Sequence, residues 1–229
     1  MKPRASSEPD MESSITSASA LRLLIVDDHA VVRRGLKDIL RDGFPQATFA
    51  EARDAAEMMD QLWKHPWDAV ILDITMPGRS GLDALKDVKH DCPKTPVLVL
   101  SMHNEDQYAV RALKAGAAGY VTKDKAPEEL VTAVTKVLAG RKYVSALLAE
   151  KLADVLSAPD DQLPHERLSE REFEVLCLLA RARTIKEIAA ELSLSVKTVS
   201  TYHVRLLSKM DMTRDAELVR YAIDHQLVD

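Results

Sequence analysis

Four short apolar runs early in the chain each end in a residue able to do chemistry. Leu21-Arg22-Leu23-Leu24-Ile25-Val26 leads into Asp27-Asp28, and Ala69-Val70-Ile71-Leu72 into Asp73. Val97-Leu98-Val99-Leu100 leads into Ser101, and Gly119-Tyr120-Val121-Thr122 into Lys123. A continuous apolar run bounded by turn residues reads as a strand buried on both faces, the habit of a parallel sheet covered by helices. Helical patterns lie between the runs, near 30–41, 54–64, 81–91, 105–115 and 127–139, with a further strand near 47–52. Strands alternating with helices imply right-handed crossovers and a doubly wound α/β layer. Pro127 and Gly140 bracket the last of these helices, the expected asymmetry of helix ends.

In such a fold the strand ends share one edge, where ligands bind. Three acids, a hydroxyl and an ammonium therefore converge there. Asp27, Asp28 and Asp73 supply the hard oxygen ligands that Mg²⁺ prefers, waters completing an octahedron. With the charge of an incoming phosphoryl group offset in this way, Asp73 can act as an oxygen nucleophile. Ser101 is placed to hydrogen-bond one phosphoryl oxygen and Lys123 to pair with another. Thr75 and His103 each lie two residues beyond an edge residue and should border the approach of a hydrolytic water. Neither is a strong base there, which predicts a phosphoryl group that is lost slowly.

Asp27-Asp28, Asp73-Ile-Thr-Met-Pro-Gly-Arg-Ser-Gly81, Ser101 and Tyr120-Val-Thr-Lys123 together resemble the marks of a response-regulator receiver domain. The resemblance implies a flavodoxin-like, five-stranded parallel sheet flanked by five helices. It also implies phosphorylation of Asp73 by a sensor histidine kinase, and a switch in which Ser101 and Tyr120 move together, the ring turning inward.

At 229 residues the chain is long enough for two cores. The expected organisation is a disordered tail over 1–20, a receiver over 21–140, a helix and polar linker over 141–167, and a helical domain over 168–229. The tail has six serines and almost no large apolar residue, so it cannot pack. Cys92 and Cys177 have no metal spacing, which suits a reducing cytoplasm. No apolar run approaches the ~20 residues that span a bilayer, so no membrane partner is expected.

From Leu168 the period is helical throughout. Ser169-Glu-Arg-Glu172 and Thr184-Ile-Lys-Glu187 read as capping boxes, and Ser195 as the cap of a helix running to about Met210. Two helices joined by a tight connection form the helix-turn-helix pattern, whose second helix enters the major groove. The net charge of −5 argues against indiscriminate coating of nucleic acid. Yet no acid occurs between Glu191 and Asp211, while Lys197, His203, Arg205 and Lys209 do. An acid-free helix in so acidic a chain suggests a face that meets phosphates.

Leu168-Ser-Glu-Arg-Glu172, Lys186-Glu-Ile-Ala189, Lys197-Thr-Val199 and Ala216-Glu-Leu-Val219 resemble the LuxR-type helix-turn-helix that closes NarL/FixJ-family regulators. Two departures stand out. The usual glycine is replaced within Ala182-Arg183-Thr184, so that turn is expected to avoid a strained φ. Ser200 stands where many relatives carry a basic residue.

The sequence thus describes an α/β receiver followed by an all-α DNA-binding domain. The two resemblances imply a two-component regulator of transcription and not a metabolic enzyme. Its partners would be a histidine kinase, double-stranded DNA, a second copy on phosphorylation and, as a further candidate, RNA polymerase. Helical spacing points Val199, Leu206 and Met210 to the core. Ser200, Thr201 and Val204 are left for base edges, Lys197, Arg205 and Lys209 for phosphates around them, and Thr198 is counted with them as DNA-binding. The alternative is a phosphorylation-controlled protein-interaction adaptor. A haloacid-dehalogenase-like phosphohydrolase would want an acid where Thr75 stands, and a dinucleotide enzyme a glycine-rich turn where Asp27-Asp28-His29 stands.

Overall fold

Two layers of alternate side chains explain the N-terminal half. A computed structural model describes residues 20–76, 79–102, 105–145, 148–150 and 163–228. Five parallel strands, β1 (Arg22–Val26), β2 (Thr48–Ala52), β3 (Ala69–Asp73), β4 (Val97–Ser101) and β5 (Gly119–Thr122), lie in the order β2-β1-β3-β4-β5. Leu23, Ile25, Ile71 and Leu98 point to one face, against Leu36 and Leu40 of α1 (Ala30–Gly43) and Leu130 and Val134 of α5 (Ala126–Leu138). Leu24, Val26, Val70, Leu72 and Val99 point to the other, where α2 (Ala55–Lys64), α3 (Gly81–Asp91) and α4 (Glu105–Lys114) pack. Every residue of β3 and β4 is buried, so both strands read as unbroken apolar runs.

The strand order reverses between β1 and β3, and that reversal opens the crevice at their carboxyl ends. Val26 sits opposite Leu72, so Asp27 and Asp73 emerge side by side.

Among the described residues from 168 onward the chain forms four helices: α6 (Glu170–Ala180), α7 (Ile185–Glu191), α8 (Val196–Met210) and α9 (Asp215–Asp224). Both capping boxes form, Ser169 with Glu172 and Thr184 with Glu187, and the Ser195 hydroxyl accepts the Thr198 N–H at 3.0 Å. All four helices end in the same closure. At the first, Ala182 N–H donates to Leu179 O and Arg183 N–H to Leu178 O, the Schellman pattern. That pattern needs a left-handed residue, and the structure supplies Ala182, Ser193, Asp211 and Gln226 at φ of 59°, 53°, 54° and 52°. The expectation that the Ala182 turn avoids positive φ is therefore overturned. Two capping bonds and the packing beyond them outweigh the clash of one methyl group.

The polar segment before Leu168 also departs from expectation. Residues 157–162 of the expected linker, the helix expected after residue 145, apart from 148–150, and the tail over 1–19 lie outside the described residues. Pro164–Arg167, however, form a 3₁₀ turn with His165 buried. Its Nδ1 lies 2.9 Å from the Tyr221 hydroxyl, and its ring packs edge-on to Tyr221 and His225. An aromatic pocket built by α9 thus captures a segment whose local composition reads as linker.

The apolar layer on the α2–α4 side continues into the helical half. Tyr108 meets Phe173 edge to face at 5.3 Å, and the Arg111 guanidinium lies 4.5 Å over the same ring. Arg111 also donates to Glu170 at 2.8 Å and to Leu168 O at 2.6 Å. Held between α4 and its own domain, α6 is buried on every side, and its buried charges are paired, Arg171 with Glu174 at 2.6 Å.

Candidate functional site: an acidic edge and an open helix face

Lys123 closes the acidic edge. Its ammonium donates to Asp27 Oδ2 at 2.6 Å and to Asp73 Oδ2 at 2.7 Å. Asp27 Oδ1 accepts the His29 N–H and Asp73 Oδ1 the Thr75 N–H, at 2.8 and 2.9 Å, which aims both carboxylates into the crevice. Burial pushes the Asp73 carboxyl up from its ordinary range, while Lys123 opposes that shift. Burial acts to lower Lys123, but the facing carboxylates of Asp73 and Asp27 outweigh it and hold the ammonium above its usual value. Gly81 is required by close approach, since a Cβ there would stand 2.4 Å from Ile74 Cα and 2.5 Å from Asp73 O. The α3 amino end is thereby pressed against the backbone that carries the nucleophile.

A divalent cation fits this edge. Asp27, Asp28 and His29 can bring one ligand atom each to a common point. Asp28 Oδ1 is buried and makes no hydrogen bond, with His29 Nδ1 2.9 Å away. A buried acceptor left without a donor is what a hard cation satisfies. The Thr75 hydroxyl is likewise buried without a partner. Ser101 is fully buried at the end of β4, paired with Thr122 across the sheet, and its carbonyl accepts the Lys123 N–H at 2.8 Å. Tyr120 is 1 % exposed, so the ring expected to turn inward is already inside. Tight packing on β5 between α4 and the segment at Tyr143 explains this, because Tyr120 N–H donates to Tyr143 O at 3.0 Å. His103 lies outside the described residues.

In the helical half, α8 buries Val199, Leu206 and Met210 and presents its opposite face to solvent. Lys197, Thr201, Val204 and Arg205 lie on that open face, and Lys197, Thr198, Thr201, Tyr202 and Arg205 line a shallow hollow along it. Ser200, half-buried at the shoulder, donates its hydroxyl to Val196 O at 2.9 Å.

The two halves match known families separately and in this order. Residues 23–135 match the response regulator receiver domain, and residues 166–222 the LuxR family of bacterial regulatory proteins. The chain is a NarL/FixJ-family response regulator. It is 33 % identical to the response regulator UvrY of Escherichia coli over 208 residues, 90 % of this chain and 95 % of UvrY. The oxygen regulatory protein NreC of Staphylococcus haemolyticus is 36 % identical over 219 residues, 91 % of this chain and 100 % of NreC. Among solved structures, RcsB of Salmonella enterica serovar Typhimurium bound to promoter rprA with phosphomimetic BeF₃⁻ superimposes with a TM-score of 0.60. It is 28 % identical, with 88 % of this chain and 98 % of RcsB covered. The response regulator is thus a DNA-binding regulator of transcription, and no described helix is long and apolar enough to cross a membrane.

Lys209 has a task in the response regulator that its sequence position conceals. Its ammonium lies 2.6 Å from Glu172 Oε2, a carboxylate 3 % exposed at the amino end of α6. The ion pair draws Lys209 back from the open face, toward the domain's interior, and competes with any phosphate contact. Arg171 was not foreseen either: its Nη2 donates to Met76 O at 3.1 Å, three residues beyond Asp73. Capping residue Glu172 carried a local signal for its backbone bond, but none for its distant partner.

Proposed function

We propose that the response regulator is switched by phosphoryl transfer onto Asp73 from the phosphohistidine of a sensor kinase, in the cytoplasm. The supporting observation is the Lys123 ammonium bridging the Asp73 nucleophile and Asp27, with an unsatisfied oxygen on the adjoining Asp28. An Asp73 carboxylate oxygen attacks phosphorus, the P–N bond breaks, and the electron pair leaves on the imidazole. Asp27, Asp28 and Asp73 would hold Mg²⁺, which supplies charge neutralisation when bound. Lys123 moves from the carboxylates to a phosphoryl oxygen, and Ser101 stabilises another. Thr75 and His103 flank the water's path and set a lifetime of minutes or longer. Phosphorylation adds roughly −1.5 to −2 charge, by analogy with hydroxyl phosphates.

Receiver pairing then brings two helix-turn-helix units onto neighbouring half-sites and raises affinity through effective concentration. Lys197, Thr198 and Arg205 hold phosphates, with Lys209 at their rim, while Ser200, Thr201 and Val204 face the bases. RNA polymerase is the natural further partner of such a complex. Labelling by acetyl phosphate with Mg²⁺ tests the first half of this reading. Asp73→Asn should abolish label, Asp28→Ala should weaken Mg²⁺ dependence, and Thr75→Ala should change the rate of loss. Undiminished label on Asp73→Asn refutes the assignment. A gel-shift titration with and without the phosphoryl donor tests the second half, and absence of binding to any duplex would favour the adaptor role.

A further inference from the structure

The open face of α8 is unusual in what its side chains have left to offer. The Thr201 hydroxyl donates to Lys197 O at 3.0 Å and the Ser200 hydroxyl to Val196 O at 2.9 Å. Each proton is spent on the carbonyl four residues back, so neither side chain has a donor for guanine O6 or N7 while the helix keeps this form. Thr201, with its oxygen turned along the helix, presents its methyl group. Beside it Val204 is 65 % exposed, and Val196 at the start of the helix is 46 % exposed. Val199, on the opposite side of the same helix, is fully buried, so the two exposed valines are not there for the domain's own core. Charge is present on this face at Lys197 and Arg205, which line the same hollow as Thr201.

We propose that this response regulator reads thymine methyl groups: Thr201 and Val204 form a methyl-lined patch that selects the C5-methyl of thymine in each half-site. The major groove offers one apolar feature among its donors and acceptors, the thymine methyl, and apolar side chains are its complement. The inference rests on the DNA-facing role of α8 given above. It narrows that role to a substituent: a base is accepted because it carries a methyl at C5, not because of its pairing edge. 5-Methylcytosine carries the same group at the same place and should be accepted at the same positions.

The test uses the full chain with acetyl phosphate and Mg²⁺, selecting sites from a random-sequence duplex pool. Each thymine of the selected half-site is then replaced singly by deoxyuridine, which removes only the methyl and keeps the pairing. Burial of one methyl predicts a loss of about fourfold in affinity at one or two positions. Thr201→Ser, which keeps the hydroxyl and loses the methyl, should erase the penalty at one position, and Val204→Ala at its neighbour. Replacing T·A by C·G there should weaken binding, and methylating that cytosine at C5 should recover part of the loss. Deoxyuridine tolerated at every position overturns the inference while leaving DNA binding intact. So does a penalty that persists unchanged in both variants, because other residues then read the methyl. Failure to enrich any duplex refutes the DNA-facing role of α8 and this inference with it.

Discussion

Glu174 and His165 should titrate against each other, making the pH dependence of stability a test of both environments. Burial pushes the Glu174 carboxyl up from 4.5 to about 7, although Arg171 opposes the shift, and Glu170 and Asp83 add to it. Burial pushes His165 down from 6.5 to about 4, with His225, Arg111 and Lys114 acting in the same direction and Glu166 against it. For Glu174 the folded chain binds the extra proton, so its contribution is complete below pH 4.5 and lost as pH rises to about 7. For His165 the unfolded chain binds the extra proton, so stability is lost as pH falls from 6.5 to about 4. At 1.36 kcal/mol per pH unit each slope amounts to about 3 kcal/mol, and the two cancel over most of their shared window. Glu174→Gln removes one side of the balance. Urea unfolding followed by circular dichroism from pH 4.5 to 7 should then show stability rising with pH, steeper than wild type by that slope. Asp73, also raised by burial, tilts both proteins alike and drops out of the difference. Wild-type and Glu174→Gln curves that run parallel across the window would refute the reasoning.

Three further expectations concern single contacts. Lys209→Ala leaves the buried Glu172 carboxylate without its cation and should lower stability by roughly 1–3 kcal/mol; an unchanged thermal midpoint would return Lys209 to the open face. Ala182→Gly relieves a left-handed alanine at ~1–2 kcal/mol and loses ~0.4–1 to backbone freedom, for a net gain of roughly 0.5–1 kcal/mol in thermal unfolding. Arg111→Ala removes the bonds to Glu170 and Leu168 together with the Phe173 contact. The two halves should then tumble separately, read as a shorter rotational correlation time from amide relaxation for the helical half, and identical tumbling would show that the apolar contacts suffice alone.

The receiver was legible because its signals are local. An apolar run that stops at Asp73 says both that a strand is buried and where its end lies, and the order of strand ends assembles Asp27, Asp73 and Lys123 without further help. The caps were equally plain, since Ser169 and Glu172 sit three residues apart. What the sequence hid was the side-chain contacts away from the sheet edge, between segments far apart in the chain. Nothing near Arg111 announces Glu170, and nothing near Lys209 announces Glu172. His165 looked like linker because its partners, Tyr221 and His225, arrive with the last helix. Ala182 misled in the opposite way. Its residue type argues against left-handed backbone, and only the closure bonds to Leu178 and Leu179 explain why it adopts it.

The two halves finish their helices with different material. In the receiver the same closure falls on Gly116 and Gly140, at φ of 99° and 72°. From residue 141 onward the chain contains no glycine at all. Among the described residues, the DNA-binding half therefore carries four bent-back side chains where the receiver carries none, and each is a place where one replacement can raise stability. Their closure bonds share no partners, so the gains should add. None of the four lies on the face formed by Lys197, Thr201 and Val204. A lineage could adapt this domain to heat one codon at a time without altering the sites it recognises.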